Sequence, residues 1–233
     1  MTPTGDPKAS TPESTAHPER LALHHHVLRY NFHERLTHWV AAGSYIYLLA
    51  TGLAFWSPWL MWIAVVLGGG QVSRALHPWA GLVFTGSVVY MYWMWSKQMG
   101  FEPVDKAWWK SLRFYITNQD DKMPPAGRYN AGQKMLFWSF FWGGLVLFLT
   151  GLVLWFPEYL PWSLRWLRYI SVILHPIAAL VTIAVFMIHI YMGVFAERGA
   201  FGSVIRGDVS MAFAKRYHPG WYEEIVGSTQ PRK

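Results

Sequence analysis

Four stretches of the chain, residues 36–73, 75–96, 135–157 and 169–196, contain no Asp, Glu, Lys or Arg. A helix needs about 20 apolar residues to cross a hydrocarbon core of about 30 Å. The first stretch is too long for one crossing, and Ser57-Pro58 followed by Gly68-Gly69-Gly70 marks where its helix stops. The pattern therefore predicts membrane helices over about 37–56, 75–96, 135–156 and 169–195. They form two hairpins, joined on one side by residues 57–73 and 157–168. Trp56, Trp59, Trp62, Trp93, Trp95, Trp155, Tyr159, Trp162 and Trp166 crowd the helix ends, as an aromatic belt does. Between the hairpins, the run from Trp108 to Tyr115 mixes aromatic and basic residues, which suits a short helix anchored on the membrane surface. The expected fold class is all-α: an integral membrane four-helix bundle with a short interfacial helix in the middle loop.

Charge adds direction to this outline. Seventeen of the twenty basic residues lie before residue 36, in 97–134 or after 196, and only Arg74, Arg165 and Arg168 lie elsewhere. The positive-inside rule then places both termini and the middle loop in the cytoplasm of a multi-pass bacterial inner-membrane protein. On this distribution the formal charge of +7 orients the chain in a lipid membrane and does not build a nucleic-acid surface. The first 27 residues hold Pro, Ser, Thr and charge, with no apolar core for a cleaved signal peptide. The expected division is a disordered cytoplasmic tail over 1–28, the helical membrane domain over 29–200 and a second cytoplasmic tail over 201–233.

The candidate chemistry lies in four histidines placed at the ends of the predicted helices. The chain has no cysteine, which excludes disulfides, cysteine-ligated iron–sulfur clusters and thiolate-ligated haem. A redox cofactor must use His, Met or Tyr. His175 and His189 are 14 residues apart on one predicted helix, about 21 Å along its axis and within about 40° of the same face. One helix stripe thus presents an imidazole near each membrane surface. Chain direction puts His77 at the depth of His175, on the outer side, and His38 at the depth of His189, on the cytoplasmic side. Each has a small residue four positions on (Ala42, Gly81, Ala179 and Gly193), one turn away on the same face, where a flat macrocycle needs room.

Ionisable residues at membrane depth are costly and mark function. Two same-depth pairs are what two haem b groups with bis-histidine ligation require. For any single histidine the alternative is an interfacial hydrogen-bonding role, and small residues also serve ordinary helix packing. His33 is the rival for the first-helix ligand, while His24-His25-His26 and His218 read as incidental surface residues. Met91, Met94, Met135, Met187 and Met192 do not share depth with a lone histidine and suit core packing. The predicted membrane segments contain no carboxylate chain, which argues against a proton pump or ion transporter.

Several of these stretches carry a resemblance. RLTHW at 35–39, ALHPWAG at 75–81, RYNAGQKMLFWS at 128–139, ILHPIAA at 173–179, IHIYMG at 188–193 and YHPGWYEEI at 217–225 resemble the cytochrome b (gamma) subunit of respiratory membrane-bound formate dehydrogenases. The resemblance spans roughly residues 29–226, and YNAGQKM is its most specific part. It implies that His77 and His175 ligate the iron of an outer haem b, and His38 and His189 that of an inner one. It also implies a menaquinone or ubiquinone site beside the inner haem, formed by Asn130, Gly132 and Gln133. The amides of Asn130 and Gln133 suit a quinone carbonyl and Gly132 permits close approach, although Asn130 also suits a helix N-cap.

The implied partners are an iron–sulfur beta subunit and, through it, a catalytic subunit with a molybdenum or tungsten pterin. This chain itself would transfer electrons and reduce quinone, with no catalytic residue for formate oxidation. Arg74, one turn before His77, is expected to pair with a propionate of the outer haem. The cytochrome b of a hydrogenase or other periplasmic oxidoreductase uses a similar histidine plan and remains the alternative. A haem-free membrane anchor is a second.

Overall fold

The computed structural model describes residues 25–229. Helix α1, Phe32–Trp56, starts where the Asn31 side chain accepts the Glu34 N–H at 2.9 Å and the Glu34 carboxylate accepts the Asn31 N–H at 2.8 Å. This reciprocal pair satisfies two of the helix's orphan donors. Ser57, in extended backbone, and Pro58 end it. A short helix α2, Met61–Val66, follows, and then the chain turns sharply through Gly68 and Gly69. Their φ values of +96° and +100° lie in the left-handed region that disfavours any residue with a Cβ. Helix α3, Gly70–Trp95, runs back. The stretches Pro58–Val66 and Gly70–Gln98 are bent by 82° at this break.

Helices α4, Pro103–Lys110, and α5, Leu112–Ile116, form the middle connection. Helix α6, Ala131–Trp155, and helix α7, Trp166–Ile190, make the second hairpin. After His189 the chain continues as a π-helical turn, Tyr191–Ala196. Among the described residues, three helices are long and apolar enough to cross a membrane, or four if the bent pair counts as one span. The protein is thus a mostly helical, multi-pass membrane protein, and the helices lie within a few residues of their predicted positions.

Helix α1 packs on α3, α6 on α7, and α3 on α6, while contact between α1 and α7 is sparse. The middle of the bundle is an aromatic core of Tyr45, Phe84, Phe140, Phe141 and Phe186 with Ala41 and Val88. Gly143 on α6 makes this closeness possible, since a Cβ there would lie 2.7 Å from Thr182 Cγ2 on α7. Large apolar side chains such as Val181 and Leu149 face outward and exposed, as lipid-facing surfaces do.

The end of the bundle that carries residues 25–31 and 197–229 is more ordered than the sequence reading expected. Strand β1, His26–Leu28, pairs antiparallel with β2, Asp208–Ser210, adding a two-stranded ribbon to the expected all-α plan. The segment read as a C-terminal tail folds into helices α8, Ala200–Ile205, α9, Met211–Tyr217, and α10, Pro219–Thr229. Val209, Phe213, Ala214 and Trp221 form its own small apolar core. The expected N-terminal tail falls outside the described residues except for 25–28, most of which is the strand. His24 also lies outside them, and His26 pairs with Asp208 at 2.9 Å.

Helix α4 is not simply a surface anchor. Trp108 is buried against Gly132 of α6, and Asp105 accepts a hydrogen bond from Lys134 Nζ at 2.8 Å with both side chains buried. Amphipathic spacing alone does not reveal which aromatic faces protein and which faces lipid.

Candidate functional site

The four histidines come together in the two expected pairs. His77 on α3 and His175 on α7 have ring centres 6.5 Å apart and planes inclined by 59°. His38 on α1 and His189 on α7 have ring centres 6.1 Å apart and planes inclined by 58°. With metal–nitrogen bonds of about 2 Å, two imidazoles on opposite sides of one metal ion put their ring centres about 6 Å apart. Both pairs match that spacing. His38 also keeps a buried Nδ1 with no hydrogen-bond partner among the described residues, a polar atom that the polypeptide leaves unsatisfied. The residues present therefore fit a bis-histidine metal group at each pair. His33 is exposed, and His38 is the histidine of α1 that meets His189.

The halfway point between the pairs is packed with aromatic side chains. Thr182 lies seven residues from both His175 and His189 on α7. Its Oγ1 accepts a hydrogen bond from the Tyr45 hydroxyl at 3.2 Å, and the Tyr45 ring sits 5.1–5.4 Å from those of Phe84, Phe140 and Phe186. Thr51 and Thr150 are side chains that the sequence reading missed. Thr51 Oγ1 lies 2.7 Å from His77 Nδ1, and Thr150 Oγ1 lies 2.8 Å from His175 Nδ1. Arg74 is exposed one turn before His77 and has no hydrogen bond or ion pair among the described residues.

At the opposite end, Asn130 and Gln133 form the capping box of α6. Asn130 Oδ1 accepts the Gln133 N–H at 2.9 Å, and Gln133 Oε1 accepts the Asn130 N–H at 3.2 Å. Among the described residues the Gln133 amide nitrogen has no hydrogen-bond partner. Gly132 is close to Trp108, since a Cβ there would lie 3.1 Å from the indole. A small recess of about 20 Å³, room for about one water, opens beside Asn130 between Trp108, Tyr115, Asp120 and Tyr217. On the same side the Tyr115 hydroxyl donates to Glu197 Oε1 at 2.6 Å. Burial pushes the Glu197 carboxyl above the usual carboxylate range, with the Tyr115 hydrogen bond opposing, and burial also raises the Tyr115 phenol.

A second polar cluster ties the N-terminal segment to the C-terminal one. The Arg128 guanidinium donates to Glu34 at 3.0 Å and to the Arg29 carbonyl, while Arg29 donates to the Arg128 carbonyl at 3.0 Å and to His218 Nε2 at 2.9 Å. Trp95 Nε1 also donates to Glu34, at 2.7 Å. His218 is not the surface residue expected from its basic surroundings: it is fully buried, and its Nδ1 donates to the Gly127 carbonyl at 2.8 Å.

Comparison with known proteins bears on this arrangement. Residues 29–207 match the prokaryotic cytochrome b561 family. The cytochrome b556(fdo) subunit of formate dehydrogenase from Escherichia coli K12 is 32% identical over 207 residues, covering 88% of this chain and 96% of the relative. The nitrate-inducible cytochrome b556(Fdn) subunit of the same organism is 32% identical over 202 residues, 85% of this chain and 91% of the relative. The formate dehydrogenase cytochrome b556 subunit of Haemophilus influenzae is 30% identical over 203 residues, 86% and 84% of the two chains.

Proposed function

The chain belongs to the prokaryotic cytochrome b561 family, and we propose that it is the di-haem membrane subunit of a formate dehydrogenase complex. In this role it carries electrons from an iron–sulfur beta subunit, which receives them from a molybdenum or tungsten pterin subunit, to menaquinone or ubiquinone. The observation that carries the reading is the spacing of the two histidine pairs, 6.5 and 6.1 Å between ring centres. The named relatives support the formate complex.

A haem b held at each pair supplies one-electron redox chemistry. His77 and His175 would hold the outer one, and His38 and His189 the inner one. The aromatic packing around Tyr45 keeps water and charge out of the interval between them. Arg74, exposed one turn before His77, is free to meet a propionate carboxylate of the outer group. At the cytoplasmic end the Gln133 amide is the available donor to a quinone carbonyl, with Asn130 and Gly132 shaping the approach. A quinone reduced there takes its protons from the cytoplasm, so no proton path through the bundle is required.

The test is haem content after single substitutions. His77→Ala or His175→Ala should remove the outer haem, and His38→Ala or His189→Ala the inner one. Pyridine haemochrome analysis should fall from two haems per chain toward one in each case. Retention of both haems would sink the assignment, and absence of a b-type band in the wild-type protein would sink the whole reading.

A further inference from the structure

We infer that Thr51 and Thr150 are positioning residues that fix the outer histidine pair in one tautomer and hold its redox potential below that of the inner pair. The inference rests on the haem reading above and adds a direction to it.

The same geometry occurs twice, once in each helical hairpin. Each threonine hydroxyl turns its proton to its own helix: Thr51 donates to the Tyr47 carbonyl at 2.8 Å and Thr150 to the Val146 carbonyl at 2.7 Å. With its one proton on that carbonyl, the hydroxyl oxygen that faces Nδ1 at 2.7 or 2.8 Å accepts. Nδ1 of His77 and of His175 therefore carries the hydrogen, and Nε2 of each is left with the bare lone pair that a metal needs. Both threonines are buried. The residue after each is glycine, and a Cβ on Gly52 or Gly151 would lie 3.8 or 3.5 Å from the Cε1 of the same imidazole. Threonine and glycine thus meet the same Nδ1–Cε1 edge of each ring.

Thr51 is on α1 and reaches across to His77 on α3, while Thr150 is on α6 and reaches across to His175 on α7. The sequence repeats with the geometry: Thr51-Gly52-Leu53 matches Thr150-Gly151-Leu152, and Leu76-His77-Pro78 matches Leu174-His175-Pro176. The inner pair is built differently, because the buried His38 Nδ1 has no hydrogen-bond partner among the described residues. A hydrogen bond accepted from the N–H of a ligating imidazole makes that ligand more basic. A more basic ligand favours the oxidised, more positive metal and lowers its potential. With that bond present on both outer ligands and absent from His38, the outer site is the lower of the two. Electrons entering outside then move inward downhill, toward the proposed quinone site.

The experiment is an optical redox titration of the solubilised intact complex, comparing wild type with Thr51→Val, Thr150→Val, the double variant, and Thr51→Ser and Thr150→Ser. The outer component is identified as the one missing from His77→Ala. We expect valine to shift the outer midpoint potential upward, further in the double variant, with the inner potential unmoved and serine close to wild type. Loss of the outer haem with valine but not serine would equally support the orienting role. Unchanged potentials with both haems bound, or equal loss of haem with valine and serine, would reduce the threonines to packing and overturn the inference. A wild-type complex lacking b-type haem would overturn the haem reading, and this inference with it.

Discussion

His218, with no exposed surface, is held between two partners that specify its charge state. Gly127 accepts from Nδ1, and Nε2 accepts from Arg29, so both bonds need the neutral ring. Burial first, and then the Arg29 charge, push its pKa well below the ordinary 6.5. The unfolded state therefore binds the extra proton first as pH falls. The stability that His218 contributes is complete above pH 6.5 and is lost as pH drops below it, by about 1.4 kcal/mol per pH unit for one proton. Proteolysis at the buried Trp221 should accelerate between pH 7 and pH 5 in wild type and lose that extra slope in His218→Asn. Equal slopes would place the pH sensitivity elsewhere. The four paired histidines were legible in the sequence because helix geometry and chain direction alone set their depths. His218 was not, since its environment depends on Arg29, 189 residues away. Thr51 and Thr150 were hidden for the same reason, although the repeated Thr-Gly-Leu and Leu-His-Pro triplets were a signal that could have found them.

Helices were the most readable elements, because long uncharged stretches bounded by Pro, Gly and polar caps admit few other structures in a membrane. The ribbon and the C-terminal helices were not, since three-residue strands and short helices owe their order to partners distant in the chain. Helix α6 shows how one start signal can serve two ends. Asn130 and Gln133 cap it, and the same residues belong to the proposed quinone site. Their two roles separate experimentally. Loss of one hydrogen bond to a quinone carbonyl costs about 0.5–1.5 kcal/mol, roughly three- to tenfold in affinity, whereas loss of the N-cap costs about 1 kcal/mol of helix stability. Gln133→Leu, which removes the free amide donor but not the Asn130 side-chain acceptor, should lower haem-normalised reduction of a quinone analogue, with both haems still reducible by formate. Asn130→Leu should lower it too and also lower thermal stability. Wild-type turnover and inhibitor affinity in both variants would move the quinone site elsewhere and leave only the cap.

At the scale of the whole molecule, charge distribution and folded contacts lead to the same orientation. The segments that carry most of the basic residues are bound to one another: β1 to β2, Arg29 to His218, Arg128 to Glu34 and Arg216 to Asp120. An assembly that joins the N-terminal segment, the middle connection and the C-terminal helices cannot be divided between two sides of a membrane. Moving all of it outward would carry most of the chain's positive charge against the positive-inside preference. The proposed topology is therefore both termini in the cytoplasm, with the 157–168 connection outside. Because the chain contains no cysteine, a single introduced one is a unique reporter. Ser163 and Thr117 are exposed positions in the two kinds of connection. A membrane-impermeant maleimide should label Ser163→Cys in intact cells with the outer membrane opened, and Thr117→Cys only after the inner membrane is lysed. The reverse pattern would invert the molecule, putting the His77–His175 pair at the cytoplasmic face and the proposed quinone site at the outer one. Labelling of both from outside would contradict a spanning bundle altogether.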